Sequence, residues 1–349
     1  LPGRFPYAGL PDHQIWKRAV SETAPSARDP QHRPAFTIDR STRIASAGSC
    51  FALKIAESLR GAGYTYLITE PGSGYSARYG DIYTTLQLAQ LARRCIGEYA
   101  PLEPPWPAQG RYLDPFRPRI HPGGYATVKE LETDRAAHLQ AVKRLLTESD
   151  VFIFTLGLTE VWCSKDDGAA LPICPGAGVG TFDSERYVFR NLTVEETIRA
   201  FDDFLAVARA LNPMLRIILT VSPVPLAATM EPRHVVQSTV YSKSVLRVAA
   251  EALRAKDPLI EYFASYEMVA GGFSGVDNYE ADRREVNEAA VRRVMRSFFH
   301  AFAGEVPAEG AANDLPTIDF VPGQAGDPVF VAAKDPCDEA YMAQFIKAL

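Results

Sequence analysis

From residue 41 onward, short apolar runs alternate with stretches of helical period, and this alternation constrains the fold more than any other feature of the 349-residue chain. The strand-like runs are "TRIASA" (42–47), "VFIFTLG" (151–157), "LRIILTVS" (215–222) and "LIEYFAS" (259–265), with "YTYLI" (64–68) as a further candidate. Between them lie helical patterns at 51–63, 81–95, about 128–147, 193–211, 238–255 and 285–302. Asp81 is a plausible N-cap for the second, and Thr193 with Glu196 spells a capping box for the fourth. "VFIFTLG" is apolar throughout, as a strand buried on both faces must be. Strands joined by helices imply a parallel sheet covered on both sides: an α/β protein of three αβα layers, doubly wound.

Three segments follow: an N-terminal arm over 1–40, rich in Pro and charge and strapped to the body by "HQIWKRAV" (13–20); an α/β domain over 41–303; and a Pro-, Gly- and Asp-rich extension over 304–349. The segments 101–123 and 163–190 read as irregular excursions. A net charge of -5 argues against nucleic acid or anionic lipid as partner. No run approaches the length of a membrane-spanning helix, and no secretory signal is visible at Leu1. Cys50, Cys95, Cys163, Cys174 and Cys337 form an odd set without a CxxC pair, which fits a reducing, cytoplasmic setting better than a disulfide framework or zinc knuckle. No metal or nucleotide cofactor is implied. "GSGYSA" (72–77) and "GAGVG" (176–180) do not link a strong strand directly to a helix, and there is no phosphate loop and no GxSxG elbow.

In a doubly wound sheet the ligand site lies beyond the carboxyl ends of the strands. Four places qualify: Gly48-Ser49-Cys50, Gly157-Leu158-Thr159-Glu160, "SPVP" (222–225), and the Tyr266-Glu267 region. A thiol that opens a helix faces backbone N–H groups and the positive end of the dipole, which favours a thiolate. Cys50 is therefore a sensible nucleophile, although Gly-Ser-Cys is equally a tight turn and a cap. "GLTE" is either a hydroxyl and carboxylate aimed at the same edge or the start of a helix capped by Thr159. Asp282 and Glu285 precede the last helix and are either acid/base groups or dipole partners. Among the histidines, His234 and His121 have the best positions for function.

The ordered motifs "AGSCFA" (47–52), "YGDIYT" (79–84), "DPFRPRI" (114–120), "TLGLTEVW" (155–162), "TVSPVPL" (220–226), "YSKSVLR" (241–247) and "SYEMV" (265–269) resemble the GSCFA domain family, grouped with the SGNH (GDSL-like) hydrolases. The resemblance covers about residues 42–302 and implies a flavodoxin-like SGNH fold. It also implies ester or thioester cleavage or O-acyl transfer on an acylated carbohydrate or similar small molecule. Laid on the SGNH pattern, Cys50 rather than Ser49 takes the nucleophile position. Gly80 becomes the second-block glycine beside Asp81, and Gly157, Thr159 and Glu160 occupy the third block, with Thr159 in place of the usual Asn donor. The late Asp-x-x-His pair becomes Asp282-Arg283-Arg284-Glu285, so the histidine is missing. A serine without an imidazole partner is nearly inert, whereas a thiol at a helix N-terminus is more forgiving. Three readings follow: Cys50 with Glu285 as base, Cys50 with a distant His such as His234, or loss of hydrolysis. The last would leave a non-catalytic binding protein, and a tailoring enzyme of secondary metabolism is a further possibility.

Overall fold

The computed structural model describes residues 5–121 and 123–304. Its centre is a parallel sheet of β1 (Ile44–Gly48), β4 (Val151–Leu156), β8 (Arg216–Val221) and β9 (Ile260–Phe263), hydrogen-bonded in that order. Every residue of β1, β4 and β9 is buried, as expected of strands with both faces covered. The candidate strand at 64–68 contributes one parallel bridge, Tyr66 to Ile44, on the outer side of β1. That places its residues in the first position of a 2-1-3-4-5 order, the flavodoxin-like arrangement.

The helices are α1 (Cys50–Gly61), α2 (Thr85–Cys95), α3 (Val128–Glu148), α4 (Val194–Leu211), α5 (Val235–Lys256), the short α6 (Ser265–Val269) and α7 (Glu288–Phe298). Two groups flank the sheet: α1 packs with α7, while α2, α3, α4 and α5 pack among themselves. Alternation along β4 sends Phe152 and Phe154 to one face, where they meet Phe204 and Phe201 of α4 at 5.6 and 6.3 Å between ring centres. Thr193 caps α4 through the predicted box with Glu196. The arm runs along β9: Gln31 donates to Tyr262 O and accepts from Ala264 N, Ala35 N–H donates to Glu261, and Ile38 N–H donates to Phe302 O.

Four expectations are corrected. Asp81 is not a helix cap, because α2 begins later, capped by Thr84 in a box with Gln87. Thr159 caps no helix, because Glu160 opens a strand, β5 (Glu160–Ser164). The excursion at 163–190 pairs back on β5 through β6 (Ala170–Leu171) and β7 (Tyr187–Asn191) as an antiparallel sheet. The Pro-rich segment holds a hairpin of β2 (Trp106–Ala108) and β3 (Arg111–Leu113). In the last two cases the strands are short and interrupted by Gly and Pro, so period-2 alternation never accumulates. Cys337 and the 304–349 extension, apart from Gly304, lie outside the described residues.

Beside α2 and α3 sits a network of buried charge. Asp114 binds Arg117 at 3.2 Å and Arg135 at 2.9 Å; Arg117 reaches Asp134 at 2.8 Å; His138 Nδ1 lies 2.6 Å from Glu70. Burial opposes ionisation of Asp114, but the Arg117 and Arg135 charges hold its carboxyl at about 2. Burial pushes His138 down to about 4 against the pull of Glu70.

Two predictions follow from this packing. Gly48 has φ +142°, and a Cβ there would lie 2.6 Å from Thr155 O, so Gly48→Ala should cost about 3 kcal/mol or more in urea unfolding. The unfolded chain protonates a histidine near pH 6.5 whereas folded His138 stays neutral to about 4, so the unfolded state binds more protons between those values. Stability should fall as pH drops through that window. It should fall again below about 3.8 as Asp114 titrates towards 2, and a His138→Gln variant should lose only the upper step.

Candidate functional site

The junction of β1 and α1 is built on Gly48. Its positive φ turns the chain tightly against Thr155 of β4 and aims the next residues into α1. Ser49 stands at the N-cap position with an extended backbone, yet its side chain caps nothing; the residue is buried and its Oγ has no hydrogen-bond partner. Cys50, the first helical residue, is half-buried and carries no disulfide. Of the two adjacent nucleophiles, the thiol is the one open to solvent.

Around this junction the segment 79–83 crosses the strand ends. Ile82 N–H donates to Gly48 O at 2.9 Å, and Tyr83 O accepts from both Gly157 N and Leu158 N at 3.0 Å. The segment therefore ties β1 to β4. Gly80 makes the turn possible at φ +71°, and nothing lies within 4 Å of where its Cβ would be. Asp81 is gripped by two phenols: Tyr75 Oη donates to Oδ1 at 2.6 Å and Tyr83 Oη to Oδ2 at 2.9 Å. Tyr75 Oη also lies 3.4 Å from Ser49 O. Burial, with the nearby Asp81 and Cys50 charges, raises Tyr75 well above the ordinary phenol range, so it stays a neutral donor beside the thiol.

The loop after β4 is spent on its own architecture. Thr159 is fully buried; its N–H donates to Ser242 Oγ at 3.1 Å and its hydroxyl to Asn191 Oδ1 at 2.7 Å. Thr159, expected in place of the Asn donor, therefore has both its N–H and its hydroxyl engaged, and the N–H groups of Gly157 and Leu158 are engaged as well. The backbone N–H groups of Gly80 and Phe51 donate to no acceptor among the described residues. Glu160 accepts from Thr229 Oγ1 at 2.5 Å and from Met230 N at 3.3 Å; burial raises its pKa, which those bonds offset in part.

The late turn is exposed. Asp282 Oδ1 accepts from the N–H groups of Arg284 and Glu285 at 3.0 Å, which makes it the pin of the turn, and Glu285 points to solvent. Tyr279 and Arg284 fasten the turn to the carbonyls of Pro223 and Pro225, just past β8, so it sits at the carboxyl edge of the sheet. His234 is exposed and caps α5, its Nδ1 accepting from Val236 N at 3.2 Å. That bond gives it a structural task of its own.

Three residues escaped the reading of the sequence. Tyr75 and Tyr83 were hidden because their partner is a carboxylate reached through a turn. Lys243, buried in α5, donates from Nζ to Gly157 O at 2.7 Å and orders the loop after β4. The signal for Lys243 was a lysine on an otherwise core-facing stretch of "YSKSVLR". Among the described residues there is no group of three or more His, Cys, Asp or Glu side chains arranged to hold a metal ion, and no helix is long and apolar enough to cross a membrane.

Among solved structures, the chain is similar to a carbohydrate esterase family 3 protein from Talaromyces cellulolyticus, at 11% identity over 74% of this chain and 94% of that one, with a TM-score of 0.35. It is also similar to a protein from Streptococcus pneumonia provisionally assigned as a platelet activating factor, at 13% identity over 49% of this chain and 65% of that one, with a TM-score of 0.27. No curated protein matches it in sequence. The model of the GSCFA family matches residues 43–298, a span that holds the sheet, the Gly48-Ser49-Cys50 junction, the tyrosine-held Asp81 and the late turn, and the chain belongs to that family.

Proposed function

We propose that this protein cleaves or transfers acyl groups through a covalent thioester on Cys50. The observation that carries this reading is the half-buried thiol at the first position of α1, beside a neutral Tyr75 and a buried, orphaned Ser49. The positive end of α1 favours the thiolate, which needs no base at the moment of attack. The sulfur adds to the acyl carbonyl, whose oxygen takes up the negative charge facing the Gly80 and Phe51 N–H groups. Collapse forms the thioester and expels the alcohol oxygen, which takes a proton. Water or an acceptor hydroxyl then attacks the thioester, loses its proton and restores the thiolate.

Asp81 acts through Tyr75 and is a positioning residue. Glu285 and Asp282, on the carboxyl edge, are the carboxylates available for proton exchange with the leaving and attacking oxygens; His234, engaged as a cap, is the weaker choice. The substrate class, an acylated carbohydrate or a similar small molecule, rests on the family resemblance. The exposure of Glu285 where the SGNH pattern has its histidine favours a second reading, a binding protein on the same fold.

With aryl esters, aryl thioesters and acyl-CoA donors, the wild type should release a burst of leaving group and gain one acyl mass on the Cys50 peptide. Cys50→Ala should lose at least about 10³-fold in kcat/KM, while Ser49→Ala should stay within about tenfold. Activity surviving in Cys50→Ala would remove the covalent mechanism, and a wild type that binds acylated sugars without turnover would establish the second reading. Asp81→Asn should lower kcat with little change in KM. A loss confined to KM would instead make Asp81 a substrate contact.

A further inference from the structure

The motif "DPFRPRI" takes no part in the acyl chemistry above, yet it walls a small cavity between α2 and α3. The cavity measures about 30 Å³, above the 10–15 Å³ or so that one water requires. Its polar lining is mostly spent. Gln87 and Gln90 use their amides on Leu171 O, Tyr83 N, Gly168 O and Ala170 N. Arg117 is paired with Asp114 and Asp134, and Asp81 is held by its two tyrosines.

Two lining groups are left over. Arg94 is only 9% exposed and lies over the Phe116 ring at 4.3 Å, but its guanidinium forms no hydrogen bond or ion pair among the described residues. Both oxygens of Asp114, whose charge acts on Arg94, are occupied by Arg117 and Arg135. Around the network and the cavity stand four guanidinium groups, of Arg78, Arg94, Arg117 and Arg135, and four carboxylates, of Glu70, Asp81, Asp114 and Asp134; of the four guanidinium groups Arg94 alone forms no ion pair among the described residues. The second group is His138, which is wholly buried. Its Nδ1 lies 2.6 Å from Glu70 and therefore carries the proton, and its Nε2 has no partner. Arg94 is a largely buried cation whose partner is an aromatic ring, and a buried lone pair without a partner, such as that of His138 Nε2, is costly. One ligand meets both needs: a group that accepts from a planar guanidinium and brings a proton to an imidazole nitrogen.

We propose that this cavity binds the carboxyl group of a short carboxylic acid, taken up as carboxylate plus one proton. The carboxylate accepts from Arg94, and the solvent-derived proton is shared between a carboxyl oxygen and His138 Nε2. The volume suits a ligand about the size of formate or acetate, and the flat guanidinium matches a carboxylate better than a spherical ion. The charged groups around His138 are Glu70, Arg117 and Arg94, with Asp81 on the wall of the same cavity, and the Tyr79 ring lies at 6.4 Å. Glu70 and Asp81 favour a second proton on the ring, but burial and the Arg117 and Arg94 charges outweigh them, so an incoming carboxylate is needed to hold it. The site does not require Cys50.

Calorimetric titration of the full chain with sodium formate and sodium acetate, in two buffers of different ionisation heat and at constant ionic strength, tests this. Binding should occur, should take up about one proton, and should tighten about tenfold for each pH unit lowered between pH 8 and 6. Arg94→Met should weaken it at least about tenfold, His138→Gln should abolish the pH dependence, and Cys50→Ala should change nothing. The last variant separates failure here from failure of the acyl mechanism. No formate or acetate binding by the wild type, binding without proton uptake, or an equal response to sodium chloride would overturn the proposal. If Arg94→Met does not fold, the wild-type proton count and the chloride comparison still decide it.

Discussion

The contact between the end of β1 and the edge of β4 at Gly48 governs the rest of the molecule. With a side chain at this position the two strands could not approach, since its Cβ would enter the Thr155 backbone. Because they do approach, Ile82 N–H can reach Gly48 O while Tyr83 O receives two N–H groups from the β4 loop. One segment then spans both strand ends and delivers Gly80 and Asp81 to the mouth of α1. The thiol of Cys50, the neutral Tyr75 and the donors of Gly80 and Phe51 all inherit their places from that single close approach.

Around this edge the protein divides its polar groups into engaged and unengaged sets. The Thr159 donors, the amides of Gly157 and Leu158, and Oδ1 of Asp282 are absorbed in holding loops still. The buried charge network does the same for the α2–α3 side, where removing any one ion would strand its partner in a low dielectric. What remains unengaged is informative because burial makes an idle polar group expensive. Ser49 Oγ and His138 Nε2 stand out on that ground, one at the mouth of α1 and the other beside Glu70.

The fold was largely legible because its strands are long, apolar and parallel. "VFIFTLG" and "LRIILTVS" announce burial on both faces, and Thr193-x-x-Glu196 announces a helix start. The β5–β7 sheet and the β2–β3 hairpin were not legible, since segments of two to five residues broken by Gly and Pro are held by pairing rather than by local pattern. Asp81 misled for a related reason: a carboxylate before a helical run satisfies the capping rule whether or not a tyrosine claims it first.

By itself the sequence determined the layered architecture, the family, and the placing of Gly48-Ser49-Cys50 at a strand end that opens a helix, because these follow from periodicity and from motifs contiguous in the chain. Tertiary structure alone decided which nucleophile faces solvent, that Thr159 is occupied, that Glu285 is exposed, and that Glu70 meets His138 across 68 residues. Those outcomes depend on which donor finds which acceptor after the chain has closed on itself, and hydrogen-bond allocation between distant segments leaves no period in the sequence.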